Sequence, residues 1–200
     1  MDTEPTPAST GQPLSGVFRA PVLGAGLSSR GEAESAAGEA ADRAREALGV
    51  GDCDLAMVFV GGSHAASAGV IAAECARRLS PGVQVGISTQ AVVGGATELE
   101  GEPGVSVLAA RLPGVRLGVY RTGDLVLPEA DDGTGERAAA TERIAGLIGA
   151  GPDLRATIVL VDPFSVPLVK LLPEINAART VVDGRPAGLV LGGLASGGKA

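Results

Sequence analysis

Residues 55–87 read LAMVFVGGSHAASAGVIAAECARRLSPGVQVGI, and this stretch decides the fold. It opens with the apolar run LAMVFV at 55–60, which suits a strand buried on both faces. GGSH interrupts the run. Ala68, Ile71, Ala72, Cys75 and Leu79 then recur at helical spacing. Pro81-Gly82 marks a turn, and residues 83–87 (VQVGI) read as the next strand. Strand, helix and strand in this order make a unit of an α/β fold.

The same alternation extends outward. Upstream, residues 17–28 (VFRAPVLGAGLS) read as a first strand. Ser29 and Glu32 have capping-box spacing, with serine as the expected helix cap. Ala36, Ala37, Ala40, Ala44, Ala47 and Leu48 fall on one helical face, and Gly49 stops the helix. Downstream, residues 104–112 and 115–121 flank Pro113-Gly114 and predict an antiparallel hairpin. Residues 136–148 predict a helix with Ala140, Ile144, Leu147 and Ile148 inside. TIVLV at 157–161 is another buried strand, entering DPFS at 162–165. A helix carrying Leu168, Leu171, Leu172 and Ile175 follows, with Pro173 placed to kink or divide it. Residues 188–191 predict a last strand before the glycine-rich GGLASGGKA. The expected fold is α/β: a mixed β-sheet with an antiparallel hairpin, flanked by helices. It stands alone or as a layer of a sandwich completed by a further domain. Residues 1–15 (MDTEPTPASTGQPLS) read as a disordered leader, and 16–200 as the folded domain.

Composition narrows the function. Hydrophobic residues make up 45% of the 200, with 2% aromatic and no Trp, so the core is built from Ala, Val, Leu and Ile. Such small side chains let helices lie close to a sheet. The net charge is −7, and three Phe and one Tyr leave little to stack on bases, which argues against nucleic acid and anionic membrane surfaces. No signal-peptide pattern and no span-length apolar run is read, so a cytoplasmic location is expected. Cys53 and Cys75 read as reduced buried thiols, with a disulfide or ligand pair as the other reading.

Several motifs approach known chemistries. Residues 193–199 have P-loop spacing, G-x-x-x-x-G-K, but Ala200 stands where magnesium binding wants Ser or Thr. Gly24-Ala25-Gly26 is a partial dinucleotide fingerprint, with Ser29 in place of the third glycine, and the favoured reading is a tight strand-to-helix turn. His64 is the sole histidine, and no serine lies in G-x-S-x-G. It reads as a hydrogen-bonded ring at a helix start or as a ligand contact. Asp162 reads as a cap for the next helix or as an acceptor for a ligand amine or hydroxyl; Ser165 is the expected cap that frees it. Ser88, Thr89, Gly94 and Gly95 either shape a loop or offer hydroxyls and N–H groups to an anion. No cofactor or metal is called for.

The segments GAGLSS, VFVGGSH, VGISTQAVVGGATELEGEPGVSVLAARLPGV, IVLVDPFS and LGGLASGG, in this order, resemble the FIST family. This is the sensory domain of bacterial signal-transduction proteins and of some eukaryotic F-box proteins. The resemblance covers roughly residues 17–200 and matches the N-terminal FIST domain. It implies a non-catalytic sensor of small polar metabolites such as amino acids. It also implies a C-terminal FIST domain as partner, this sequence being the N-terminal portion of a longer protein. The expected ligand contacts are His64, Ser88, Thr89, Gly94, Gly95, Asp162, Ser165, Gly192, Gly193 and Ser196, in loops after the strands ending near Val60, Ile87, Val161 and Leu191. The alternatives are a nucleotide hydrolase using Lys199, a hydrolase using Ser88 or Ser196, and a protein-interaction scaffold using residues 104–121.

Overall fold

The computed structural model describes residues 20–125, 127 and 135–195. The leader at 1–15, Ser196 and most of the P-loop-like segment lie outside them.

Ten strands and four helices are described. In chain order they are β1 (Val22–Ser28), α1 (Ala33–Leu48), β2 (Leu55–Gly61), α2 (Ala68–Leu79), β3 (Val83–Thr89), β4 (Ala91–Gly94), β5 (Thr97–Glu100), β6 (Gly104–Arg111), α3 (Glu136–Leu147), β7 (Ala156–Val161), α4 (Leu168–Ala178), β8 (Val181–Val182), β9 (Arg185–Pro186) and β10 (Leu189–Leu194). The α/β class read from the sequence is the class observed. The main sheet is mixed, in the order β1-β6-β2-β3. β2 and β3 run parallel, while β6 lies antiparallel between β1 and β2.

That position of β6 overturns the expected hairpin at 104–121. β6 has both edges filled by β1 and β2, so no edge is left for residues 115–120, which form no strand. Tyr120 packs instead against the second apolar cluster.

α1 lies on β1 with almost no gap. A Cβ on Gly24 would sit 2.2 Å from the Ala44 carbonyl oxygen, and one on Gly26 2.0 Å from that of Ala40. The two glycines therefore serve helix-on-strand packing. They neither make a strand-to-helix turn nor begin a phosphate loop, because both lie inside β1. Ala36, Ala37, Ala40, Ala41 and Ala44 are fully buried under α1, joined by Leu48, Ile71, Leu79, Val105 and Val107. Burying each of the larger chains contributes about 1.5–3 kcal/mol.

The start of α1 also differs from its capping-box reading. Glu32 is the N-cap: its carboxylate accepts from the N–H groups of Glu34 (3.0 Å) and Ser35 (2.6 Å). Ser29 is thereby left in the preceding loop. Gly49 closes the helix as expected, with φ of 72°.

The second cluster joins α3, α4 and β7 around Ile144, Ile148, Val159, Val161, Leu171 and Ile175. Leu147, expected inside, is exposed. β7 pairs in parallel with β10 through Leu194, so Gly192 and Gly193 are strand residues and not the start of a loop. Gly192 permits the pairing, since a Cβ there would meet the Val159 carbonyl at 1.9 Å. Pro173 sits inside one continuous α4. Cys53 and Cys75 are buried free thiols. Burial pushes the Cys75 thiol up to about 11.

Candidate functional site

Among the described residues β1 is an outer strand, paired to β6 alone. An open cleft of about 440 Å³ runs along its free side. Ala25, Gly26 and Leu27 form its floor, Ser29 and Arg43 one wall, and Gly94, Gly95, Thr97 and Leu99 of the β4–β5 hairpin the other. Sheet alternation explains the two walls. Gly24 and Gly26 turn towards α1, so Ala25 and Leu27 turn to the opposite face, where Leu27 meets Gly94. A Cβ on Gly94 would stand 2.5 Å from the Leu27 Cβ, so glycine lets the hairpin close on the strand. The turn is made by Gly95, with φ of 61°.

Arg43 reaches from α1 over the strand edge. Its guanidinium donates to the Leu27 carbonyl and, at 2.9 Å, to the Glu39 carboxylate one helical turn back. In an antiparallel pair, successive residues send their main-chain groups to alternate sides. The Leu27 carbonyl points outward to Arg43, so Ala25 points its N–H and C=O outward too. The cleft thus combines a half-exposed guanidinium, two hydroxyls, and a strand edge with both donors and acceptors.

Glu39 anchors this wall. It accepts from the buried Ser28 hydroxyl (2.6 Å) and from Arg30 Nε (3.0 Å). The Ser28 hydrogen bond, with Arg30 and Arg43 adding, holds its carboxyl below the usual range. His64 is buried in a 3₁₀ turn at Gly62–Ser67, and its Nε2–H donates to the Arg30 carbonyl at 2.8 Å. The sole histidine therefore pins the loop that carries Ser29 and does not line the cleft.

The other sequence candidates are spread out. Ser88 and Thr89 end β3, and the Thr89 hydroxyl donates to the Ala91 carbonyl at 2.6 Å. Asp162 neither caps α4, which starts at Leu168 behind Pro167, nor is freed by Ser165. It accepts from the Phe164 N–H (3.0 Å) and from the Ser165 hydroxyl (2.6 Å), which closes a local turn and lowers its pKa. Gly192 and Gly193 lie in β10. Of the ten, Gly94 and Gly95 line the cleft. Sequence reading missed Ser29, Arg43 and Thr97. The signal for Arg43 was its i,i+4 spacing from Glu39; Ser29 and Thr97 carry none. Among the described residues, no cluster of His, Cys, Asp and Glu is placed to hold a metal.

A model of the FIST N domain matches residues 54–200. An uncharacterized protein of Mycobacterium tuberculosis is 32% identical over 180 residues, which is 88% of this chain and 41% of that protein. An uncharacterized protein of Mycobacterium bovis is 31% identical over the same shares. The chain thus spans about two fifths of the length of these relatives. No solved structure gives a significant match. Among the described residues, no helix is long and apolar enough to cross a membrane.

Proposed function

The chain belongs to the FIST N domain family, a sensory domain of signal-transduction proteins, and on that premise we propose that it binds a small polar metabolite in the cleft beside β1. The observation that carries the reading is Arg43 set against a free strand edge. A carboxylate fits the guanidinium, for which arginine's planar fork is suited, and an ammonium fits the outward carbonyl of Ala25. That pair of groups is an α-amino acid. The volume suits a small ligand.

The mechanism is a shift of population. Ligand holds the β4–β5 hairpin in its place against Leu27, and that state is passed on to a C-terminal FIST domain. The protein acts in the cytoplasm as a sensor, without catalysis of its own. Thermal melting with a panel of amino acids, dicarboxylates and Mg-ATP tests the reading. A ligand at 100 times its Kd stabilises by roughly 2.7 kcal/mol, and each kcal/mol is worth about 2–4 °C at this size. An amino acid should therefore raise the melting temperature by several degrees. A rise with Mg-ATP alone, lost on Lys199→Ala, would favour the nucleotide reading. Silence across the panel would remove the ligand.

A further inference from the structure

Among the described residues, the sheet formed by β7 and β10 is covered on one face only. Thr157, Val159 and Val161 of β7 are buried on the side of α3 and α4, with Val190 packed against the same cluster. The other face carries Ala156, Ile158 and Leu160 beside Leu189, Leu191 and Gly193. There Ile158 is 49% exposed, Leu189 62% and Leu191 52%, and no residue of the face is charged.

This arrangement is physically incomplete. Parallel strands occur almost always with both faces covered, and a two-stranded sheet is marginal without further packing. The outer strand LVLGGL also lacks the lysines, prolines and bulges that guard an exposed edge. The relatives point to the missing cover. They align along 88% of this chain, yet that alignment fills 41% of their own length, so each carries more than as much polypeptide again.

We infer that the Ile158, Leu189 and Leu191 face is a docking surface for polypeptide homologous to the unmatched part of those relatives, whether on the same chain or another. The face is apolar and uncharged, so the partner surface is an apolar helix or sheet face of the same kind. The inference extends the proposed C-terminal partner by naming where it sits, and it is independent of the metabolite.

Thiol labelling tests it without ligand. Leu191→Cys, with Ile158→Cys as a second variant, places a reactive probe on the face. Cys75, buried in the fold, reports by its silence that each protein is folded. Val50→Cys, fully exposed and away from both the cleft and this face, is the control. The 200-residue chain is compared with a chimera in which it replaces the matched segment of the Mycobacterium tuberculosis relative; the unmatched part added in trans serves if the chimera does not fold. Labelling of the Leu191→Cys and Ile158→Cys variants should slow by at least about tenfold in the presence of the added polypeptide, as access controls the rate, with the Val50→Cys control unchanged. Equal rates in both settings overturn the inference. Protection in the chain alone that grows with its concentration also overturns it, and assigns the face to a second copy of the chain.

Discussion

Gly26→Ala should unseat α1. The new Cβ would lie 2.0 Å from the Ala40 oxygen and 2.8 Å from the Ala44 nitrogen, both main-chain atoms of α1. Ordinary contact begins near 3.4 Å, so the clash exceeds an ångström and no side-chain rotation relieves it. The helix must lift, opening space beneath Ala36, Ala40, Ala44 and Leu48, which are at most 2% exposed. Overpacking of this kind costs about 1–3 kcal/mol, and loosened core contacts add to it. We expect a loss of about 3 kcal/mol in urea unfolding, or roughly 6–12 °C in melting temperature. Arg43 rides on the same helix, so metabolite binding should fall as well. Gly69→Ala is the counter-case: it lies in α2 with nothing within 4 Å of its Cβ and should stabilise by up to about 1 kcal/mol. A Gly26→Ala protein within about 1 kcal/mol of wild type, with unchanged denaturant slope, would refute close packing of α1 on β1.

Three further outcomes follow from the geometry. Glu74 accepts from Arg77 (2.5 and 2.7 Å) and Arg78 (2.8 Å), which lowers its carboxyl to about 2 from 4.5. A depressed folded pKa gives stability that is present above the unfolded value and lost as pH falls through the folded one. Glu74→Gln should thus lower stability at neutral pH and flatten its fall between about pH 4.5 and 2, read by melting across pH; an acid limb as steep as in wild type would count against the cluster. Asp162→Ala should loosen the Phe164 turn, give a small drop in melting temperature and leave metabolite affinity unchanged in calorimetry. Gly94→Ala should push the hairpin off Leu27 and weaken metabolite binding while urea unfolding changes little; unaltered affinity would exclude the hairpin as a cleft wall.

The fold was legible where burial imposed a pattern. LAMVFV announced a strand because a core strand is apolar on both faces, and the alanine stripe of α1 announced a helix close to a sheet. TIVLV also announced a strand, but not one buried on both faces, since only its Thr157, Val159 and Val161 side is covered and Ile158 is exposed. Strand order was not legible. Residues 104–112 read as the first arm of a hairpin, yet β6 is the strand between β1 and β2, and pairing partners distant in sequence leave no local mark. Gly192 misled for a related reason: glycine signals a turn as readily as a close approach of two strands, and the Val159 carbonyl that requires it lies on another element. The cleft was half legible. Gly94 and Gly95 stood out by composition, whereas Arg43 lies off the apolar face of α1 and gains its place only because β1 is the sheet edge beneath it. Asp162 stood out by position, but its two local hydrogen bonds engage it in its own turn.

The most direct test of the account is calorimetric titration of wild type, Arg43→Ala and Asp162→Ala with the amino acid that gives the largest melting shift. The account predicts saturable binding to wild type and to Asp162→Ala. For Arg43→Ala it predicts affinity reduced by about 10- to 150-fold, the 1.5–3 kcal/mol of a hydrogen bond to a charged group. Full affinity in Arg43→Ala, or loss of binding in Asp162→Ala alone, would contradict it and move the site from β1 to the end of β7.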